Sequence, residues 1–134
     1  EGVGNKLLAE VQTVDALIHV LRCFDDENVP HSEGSIDPVR DMELVDLELQ
    51  VRDLDLVTRK LQRVEKLMKN GEKDNKKAYE VLTIYKEALE NMQNARDAKV
   101  AEEDKKYIQD IQLLTAKESH FLTMPHHILE KNAF

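Results

Sequence analysis

The feature that most constrains the fold is an apolar seam along residues 47–68. Its members step by three or four residues, close to the 3.5-residue average at which two packed helices meet. Asp37-Pro38 suits the start of this helix, as N-cap and first helical residue, and Asn70-Gly71 suits its end. The pattern predicts one long helix with a seam formed by Leu47, Val51, Leu54, Val57, Leu61, Val64 and Met68.

The same stepping resumes after a short polar break. Asp74 can cap a second helix, and residues 70–74 leave a five-residue tip between the two, so the helices must run antiparallel. We expect a coiled-coil hairpin that packs along its own seam and against the body of a larger domain. A partner-binding arm and self-association of the chain are the alternatives. The second half of the seam consists of Ala78, Leu82, Tyr85, Leu89 and Met92.

Residues 16–24 are the strongest strand candidate. They are apolar almost without alternation, as are strands of parallel sheets that are covered on both faces. Such a strand needs neighbours, yet residues 118–134 show no strand pattern. We therefore expect one buried core strand, flanked by a helix over residues 5–12, an acidic loop over 25–38 and a further helix from residue 101.

The overall charge limits the partners of the chain. A formal net charge of −8 argues against a general nucleic-acid or anionic-membrane surface. No apolar run approaches the roughly 20 residues of a membrane span. The single cysteine, Cys23, cannot form an internal disulfide. We expect a soluble, cytoplasmic protein without a membrane partner.

One segment departs from this acidic average. Residues 59–77 carry eight basic and three acidic side chains, a net charge of +5, which leaves −13 for the rest of the chain. Such segregation can direct one end of a rod toward the phosphates of RNA, while the alternative is a solvated, lysine-rich helix end. The lack of interleaved aromatic residues argues against stacking on single strands. The candidate residues are Arg59, Lys60, Arg63, Lys66, Lys69, Lys73, Lys76 and Lys77.

Other chemistry-bearing residues favour ordinary roles. The carboxylates of residues 25–27 could bind Mg²⁺, but adjacent acidic residues on a loop are more often solvated. Cys23 and His19 suit structural positions in or beside the strand, and His31 suits a surface loop because no base or nucleophile partner is in view. Three further histidines lack metal-ligand spacing, and we predict no metal site and no catalytic residue; they are His120, His126 and His127.

An ordered string of short motifs is more specific than any of these single residues. It closely resembles the YchF/Obg-like ATPase family of P-loop proteins over roughly residues 1–117. The residues that carry the resemblance are Gly2-x-Gly4-Asn5-Lys6, Asp15-Ala16, His19 to Phe24, Asp25-Asp26-x-Asn28, His31, Gly34, Asp37-Pro38-x-Arg40-Asp41 and Glu48-Leu49.

The resemblance implies a mainly α fragment of an α/β P-loop NTPase domain. In the family, a nucleotide-binding G domain is interrupted by a coiled-coil hairpin and followed by a small ubiquitin-like TGS domain. The resemblance also implies Mg²⁺ and ATP as cofactors, with ATP preferred over GTP, and association with ribosomes. Gly2, Gly4 and Asn5 would end the switch segment. The implied divisions are a partial G domain (1–41), the hairpin (42–98), a returning helix (99–117) and a divergent tail (118–134).

Two motifs that the family uses are absent from the sequence. No Gly-x-x-x-x-Gly-Lys-Ser/Thr phosphate loop occurs, and no Asn-x-x-Glu base-reading motif follows Thr115-x-Lys117. We therefore expect that this chain alone is inactive and binds nucleotide weakly, and that the remainder of the G domain and the TGS domain are its natural partners. The competing hypothesis is a stand-alone interaction module whose basic tip binds RNA or a protein.

Overall fold

The computed structural model describes residues 2–71 and 75–124 of the chain. Three α-helices and two strands form its frame: α1 (Gly2–Val11), β1 (Ala16–Arg22), α2 (Pro38–Lys69), α3 (Asn75–Glu90) and β2 (Glu118–Met124). Three 3-10 helices join α3 to β2, over Ala95–Asp97, Glu102–Ile111 and Leu114–Ala116. The described chain is thus mostly helical, with a small parallel sheet.

Both ends of α2 follow the predicted capping chemistry. The carboxylate of Asp37 accepts a hydrogen bond from the backbone N–H of Arg40 at 3.1 Å, and Pro38 occupies the first turn, where a missing N–H costs nothing. At the other end, Gly71 has a φ of +90°, the left-handed conformation that favours glycine. Although α2 has 32 residues, no helix in the described ranges is sufficiently long and apolar to cross a bilayer.

Helices α2 and α3, which we call the arm, pack along an apolar core. Gln50 of α2 donates hydrogen bonds to the carbonyl of Met92 and the side chain of Asn94, so α3 runs back along α2. The seam predicted from residue 47 onward is only partly correct, because Leu47 and Val51 are exposed. The buried core consists of Val57, Val64, Ala78, Val81, Leu82, Tyr85 and Leu89, joined by Ala95, Ile108 and Leu113.

The segment that returns from the arm is helical in a different way than expected. Residues 102–111 form a 3-10 helix, and Gln112 ends it with a φ of 48°. Ile108 and Leu113 are buried against the arm, whereas the acidic residues of the first turn are exposed or partly exposed. After this 3-10 helix, residues 113–117 return to α2, and β2 begins directly after them.

The sheet corrects one expectation outright. β2 pairs with β1 in parallel, in a register that runs from Ala16 opposite Glu118 to Arg22 opposite Met124. The prediction that no strand follows Lys117 is therefore wrong for residues 118–124. The segment mixes charged, polar and apolar residues without alternation, and its strand conformation comes from backbone pairing with β1 instead of from a pattern of its own.

The sheet also differs from the single buried core strand that we expected. Ile18 and Val20 of β1 are 70% and 50% exposed, and Phe121 and Leu122 of β2 are exposed as well. Within β1 only Leu21 is buried. The apolar run of β1 thus predicted a strand correctly, but Ile18 and Val20 are not covered as a strand buried on both faces requires.

Candidate nucleic-acid interface and the polar junction at its base

The predicted basic residues gather at the end of the arm that lies away from the sheet. Five of them lie on the last part of α2 and two on the first turn of α3, and Lys73 lies outside the described residues. On α2, Arg59, Arg63 and Lys66 are spaced by four and three residues and therefore share one exposed face. This face lies nearly opposite Val57 and Val64, which pack against α3.

Three of these cations have acidic neighbours on the surface. Arg59 pairs with Asp55 at 3.0 Å, Lys69 with Glu65 at 3.2 Å, and Lys77 of α3 reaches Asp104 at 3.4 Å; the three cationic side chains are mostly exposed. Exposed pairs of this kind contribute little to stability. These cations can therefore exchange a carboxylate for a phosphate at small cost.

Lys60 belongs to the structure instead of the exposed face. Its side chain is 15% exposed, and its Nζ donates to the carbonyl of Tyr107 and to the carboxylate of Asp110. These contacts tie α2 to the 3-10 helix Glu102–Ile111. Lys60 therefore contributes to holding the returning segment on the arm.

The remaining three basic residues have no such contacts. We call Arg63, Lys66 and Lys76 the tip cations. Their side chains are exposed and form no hydrogen bond or ion pair with any other residue in the described ranges. Unpaired cations at the end of a long helix attract phosphate without first losing an internal partner. The tip cations are thus the best-placed part of the predicted basic set.

The acidic loop before α2 holds a second polar cluster. His31 and Asp41 lie 2.7 Å apart. Because Nδ1 of His31 accepts the backbone N–H of Glu33, it is Nε2 that donates to the Asp41 carboxylate. Desolvation acts to raise the pKa of Asp41, but hydrogen bonds from Arg40 and His31 outweigh it and hold that pKa below its ordinary value. His31 lies in the loop before α2, as expected, but its side chain is only 13% exposed because it packs against Asp41.

The remaining candidates are dispersed. Gly2, Gly4 and Asn5 lie within α1 instead of a glycine loop, and their nucleotide role stays a prediction. Cys23 is exposed, which corrects the buried position that we expected. His19 packs beside Phe121, with ring centroids 5.8 Å apart.

No metal site forms around residues 25–27. In the described part of the chain, no three His, Cys, Asp or Glu side chains gather in a way that could hold a metal ion. His126 and His127 lie outside the described residues.

Sequence reasoning missed the most deeply buried charge. Asp53 of α2 is fully buried, and its carboxylate accepts the backbone N–H groups of Leu114 and Thr115, both at 2.7 Å, and the hydroxyl of Thr115 at 2.6 Å. Burial raises the pKa of Asp53, and these donors oppose the rise. We call Asp53, Leu114 and Thr115 the polar junction. The available signal was an acidic residue four positions before Val57, on the face that packs inward.

The comparisons with known proteins place this architecture in a family. No protein-family model matches the chain. The chain is 41% identical over 117 residues to the ribosome-binding ATPase YchF of Bacillus subtilis (strain 168), a match that covers 87% of this chain and 32% of the relative. It is 34% identical over 127 residues to Obg-like ATPase 1 of Saccharomyces cerevisiae, over 91% of this chain and 32% of the relative.

A solved structure agrees with these sequence matches. The YchF GTPase of Schizosaccharomyces pombe superimposes with a TM-score of 0.80 and 28% identity, over 96% of this chain and 36% of that one. The chain belongs to the YchF/Obg-like ATPase family of P-loop NTPases. It spans about a third of the length of the curated YchF relatives that it matches.

The YchF relation also bears on the end of the chain. A structural match over 96% of the residues leaves only a few unmatched, too few to exclude all of β2. The structural match therefore includes residues after Lys117, where we noted a divergence of sequence. The YchF fold reaches beyond residues 1–117, over which the motifs had shown the resemblance.

Proposed function

We propose that this chain acts within a ribosome-associated, YchF-type protein that binds and hydrolyses ATP, with GTP as the weaker alternative. Its own part is to hold and orient an antiparallel coiled-coil arm that contacts structured RNA. Two relatives are named ribosome-binding ATPase and Obg-like ATPase, and the structural neighbour is named a GTPase, which supports both the nucleotide and the ribosome.

The observation that carries the RNA contact is the placement of the tip cations. At 1.5 Å per residue, α2 is roughly 48 Å long, and Lys66 lies roughly 20 Å along it from Asp53. The polar junction lies at the middle of α2, whereas Arg63 and Lys66 lie exposed toward its C-terminal end, next to Lys76 in the first turn of α3. Because the rest of the chain is acidic, phosphate is attracted to this end and repelled elsewhere.

The nucleotide part of the proposal rests on the family relation. Mg²⁺ and ATP would supply the phosphoryl-transfer chemistry of a YchF-type protein. The described side chains do not by themselves fit Mg²⁺, since no group of three ligating residues gathers among them. We therefore assign no catalytic step to this chain, and Gly2, Gly4 and Asn5 are proposed only as part of the switch segment.

Charge reversal tests the RNA contact. The probe is a structured ribosomal RNA hairpin, titrated at several salt concentrations with the unmodified chain and with Arg63→Glu, Lys66→Glu, Lys76→Glu combined. We expect the triple variant to lose at least about tenfold in affinity and the salt slope to fall by about 3, because each phosphate contact contributes about 0.9 to that slope.

The matched control keeps the same change in net charge. Lys6→Glu, Lys86→Glu, Lys99→Glu combined places three reversals on exposed or partly exposed residues of α1, the later part of α3 and the loop after it. We expect this control to retain most of the affinity. Equal losses in both triple variants would show that only net charge matters, and would overturn the tip as the contact.

The tip cations also favour a second candidate function, a helical interaction module that works without nucleotide. RNA binding by such a module is independent of ATP, and a calorimetric titration with Mg·ATP tests whether this chain binds nucleotide by itself. For this chain alone we expect no stoichiometric heat, because the sequence contains no phosphate-loop motif. Stoichiometric ATP binding would contradict that expectation and would favour the first candidate.

A further inference from the structure

Three segments of the chain meet at one buried residue. Thr115 is 1% exposed, and its hydroxyl donates to Asp53 of α2 while accepting the backbone N–H of Ala95 at 2.8 Å. Both backbone N–H groups that reach Asp53 come from Leu114 and Thr115, at the start of a 3-10 helix. The arm, the segment after α3 and the segment before β2 are thus joined through a single threonine.

The contact continues from Thr115 toward α1. Arg96 donates to the carbonyls of Thr115 and Lys117, at 2.8 and 3.0 Å, and holds the outer side of the turn. Lys117 then extends to the carbonyl oxygens of Gln12 and Val14, at 2.9 and 2.6 Å. These carbonyls lie just after α1 and just before β1, so the ammonium group of Lys117 fixes the end of α1.

Direct packing between α1 and α2 is loose by comparison. An open cavity of about 310 Å³ lies between them, lined by Leu8 and Val11 on α1, by Val45 and Leu49 on α2, and by Leu17 of β1. Atoms that line a cavity have fewer van der Waals contacts, so less packing connects α1 directly to α2. The hydrogen-bonded route through Thr115 and Lys117 is the closer connection between the arm and the end of α1.

We propose that the arm and the end of α1 are coupled through Asp53, Thr115 and Lys117, so that tilting the arm away from the junction releases α1. The coupling is a property of the fold. It gains a role from the proposed function, because α1 contains Gly2, Gly4 and Asn5, the switch residues of that proposal, and because RNA would bind at the far end of the arm.

The chemistry of the junction favours two discrete arrangements over a continuous series. A fully buried carboxylate is tolerated only while its donors are in place, and a partly separated pair would leave both the charge and two backbone N–H groups without partners. Lys117 follows Thr115 by two residues, so loss of the turn also moves the ammonium group. A two-state element that both sites bias is what physical coupling requires.

Amide hydrogen exchange measured on the unmodified chain and on Asp53→Asn tests the proposal. Asparagine keeps the size of the side chain but replaces the carboxylate with a weaker acceptor. We expect exchange to become at least about tenfold faster at residues 12–14, which the hydrogen bonds of Lys117 connect to the junction. Asp55→Asn, an exposed change of the same charge on the same helix, should leave these amides unaffected.

A second substitution distinguishes coupling from two independent local effects. Lys117→Met removes the ammonium group and should speed exchange at residues 12–14 to a similar extent. If the two residues act in one route, the combined variant exchanges no faster there than either single variant. Additive effects, or an Asp53→Asn variant that loosens residues 114–117 but leaves residues 12–14 unchanged, would overturn the proposal.

A milder pair of variants decides the question if Asp53→Asn fails to fold. Thr115→Val removes only the hydroxyl that joins Asp53 to Ala95, and Thr115→Ser restores it. We expect faster exchange at residues 12–14 for valine and near-normal exchange for serine, while amides in the core of α3 stay protected in both. These exchange measurements contain no RNA or nucleotide. A negative result would therefore reject the coupling but not the proposed function, and a failed RNA titration would reject the RNA contact but not the coupling.

Discussion

Two regions of α2 treat charge in opposite ways: the middle of the helix, which we call the base, and its C-terminal part, which we call the tip. At the base, the carboxylate of Asp53 is fully buried and every donor that reaches it comes from the chain itself. Near the tip, Arg63 and Lys66 are exposed and have no partner in the described ranges. The first arrangement stabilises one geometry of the chain, whereas the second leaves charge available to another molecule.

This contrast shows that a charged residue on a helix cannot be interpreted from its sign alone. A buried ion is costly unless hydrogen bonds satisfy it, and substitution of such a residue is therefore expected to affect folding. An exposed, unpaired ion contributes little to folding, and its substitution is expected to affect binding. Substitutions at the base of α2 should therefore change stability, and substitutions at its tip should change binding.

The largest effect is expected at the base. Asp53→Ala removes the acceptor of two backbone N–H groups and one hydroxyl, and leaves them buried without partners. We expect the free energy of unfolding to fall by about 3–5 kcal/mol, measured by urea denaturation with a constant slope. Asp55 pairs with the exposed Arg59 one helical turn later. Asp55→Ala should therefore change the free energy of unfolding by less than about 0.5 kcal/mol. Similar losses in both variants would remove the contrast.

Lys60 tests where the base ends and the tip begins. It lies only three residues before Arg63, but its side chain is largely covered and contacts Tyr107 and Asp110. Lys60→Met keeps the aliphatic stem and leaves the Tyr107 carbonyl without its donor, so we expect a loss of about 1 kcal/mol. RNA affinity should be unchanged in the same variant. A loss of affinity without a loss of stability would place Lys60 with the tip cations.

The sequence allowed good prediction where local chemistry decides the structure. Asp37, Pro38 and Gly71 fixed both ends of α2, because capping and backbone conformation depend on nearby atoms. β1 was recognised from its apolar run. β2 was not, since its strand conformation depends on β1, about a hundred residues earlier in the chain, and its own residues show no strand pattern.

The candidate site divides in the same manner. The basic segment was visible as composition, but sequence could not separate the tip cations from Lys60, whose partners lie 47 and 50 residues further along. Asp53 was missed because its donors lie 61 and 62 residues away and because a single acidic residue in a highly charged helix attracts no notice. Long-range partners, more than residue type, decide which charges are structural.

The start of α2 offers an acid-dependent test of the comparison. Arg40 and His31 hold the pKa of Asp41 below its ordinary value of 3.8, against the opposing effect of desolvation. A lowered pKa means that Asp41 contributes stability above pH 3.8, and that this contribution is lost as the pH falls through the lower pKa of the folded state. We expect Asp41→Asn to be less stable than the unmodified chain near neutral pH.

The difference in stability between the unmodified chain and Asp41→Asn should shrink as the pH falls. Thermal unfolding between neutral pH and pH 3 measures it, and Asp46→Asn on the same helix serves as the control because Asp46 makes no described ion pair. A difference that stays constant below pH 3.8 would show that Asp41 acts through packing instead of charge.

The smallest effect on stability is expected at the tip. Arg63→Ala and Lys66→Ala remove charges that have no partner among the described residues, and alanine is a strong helix former. Lys66 lies in the last turn of α2, where the helix dipole stabilises a cation, so its removal has a small cost. We expect the combined loss in the free energy of unfolding to stay within about 0.5 kcal/mol. The same pair should weaken RNA binding measurably. A large loss of stability would mean that these cations hold the tip together, and the base and the tip of α2 would then use charge for the same purpose.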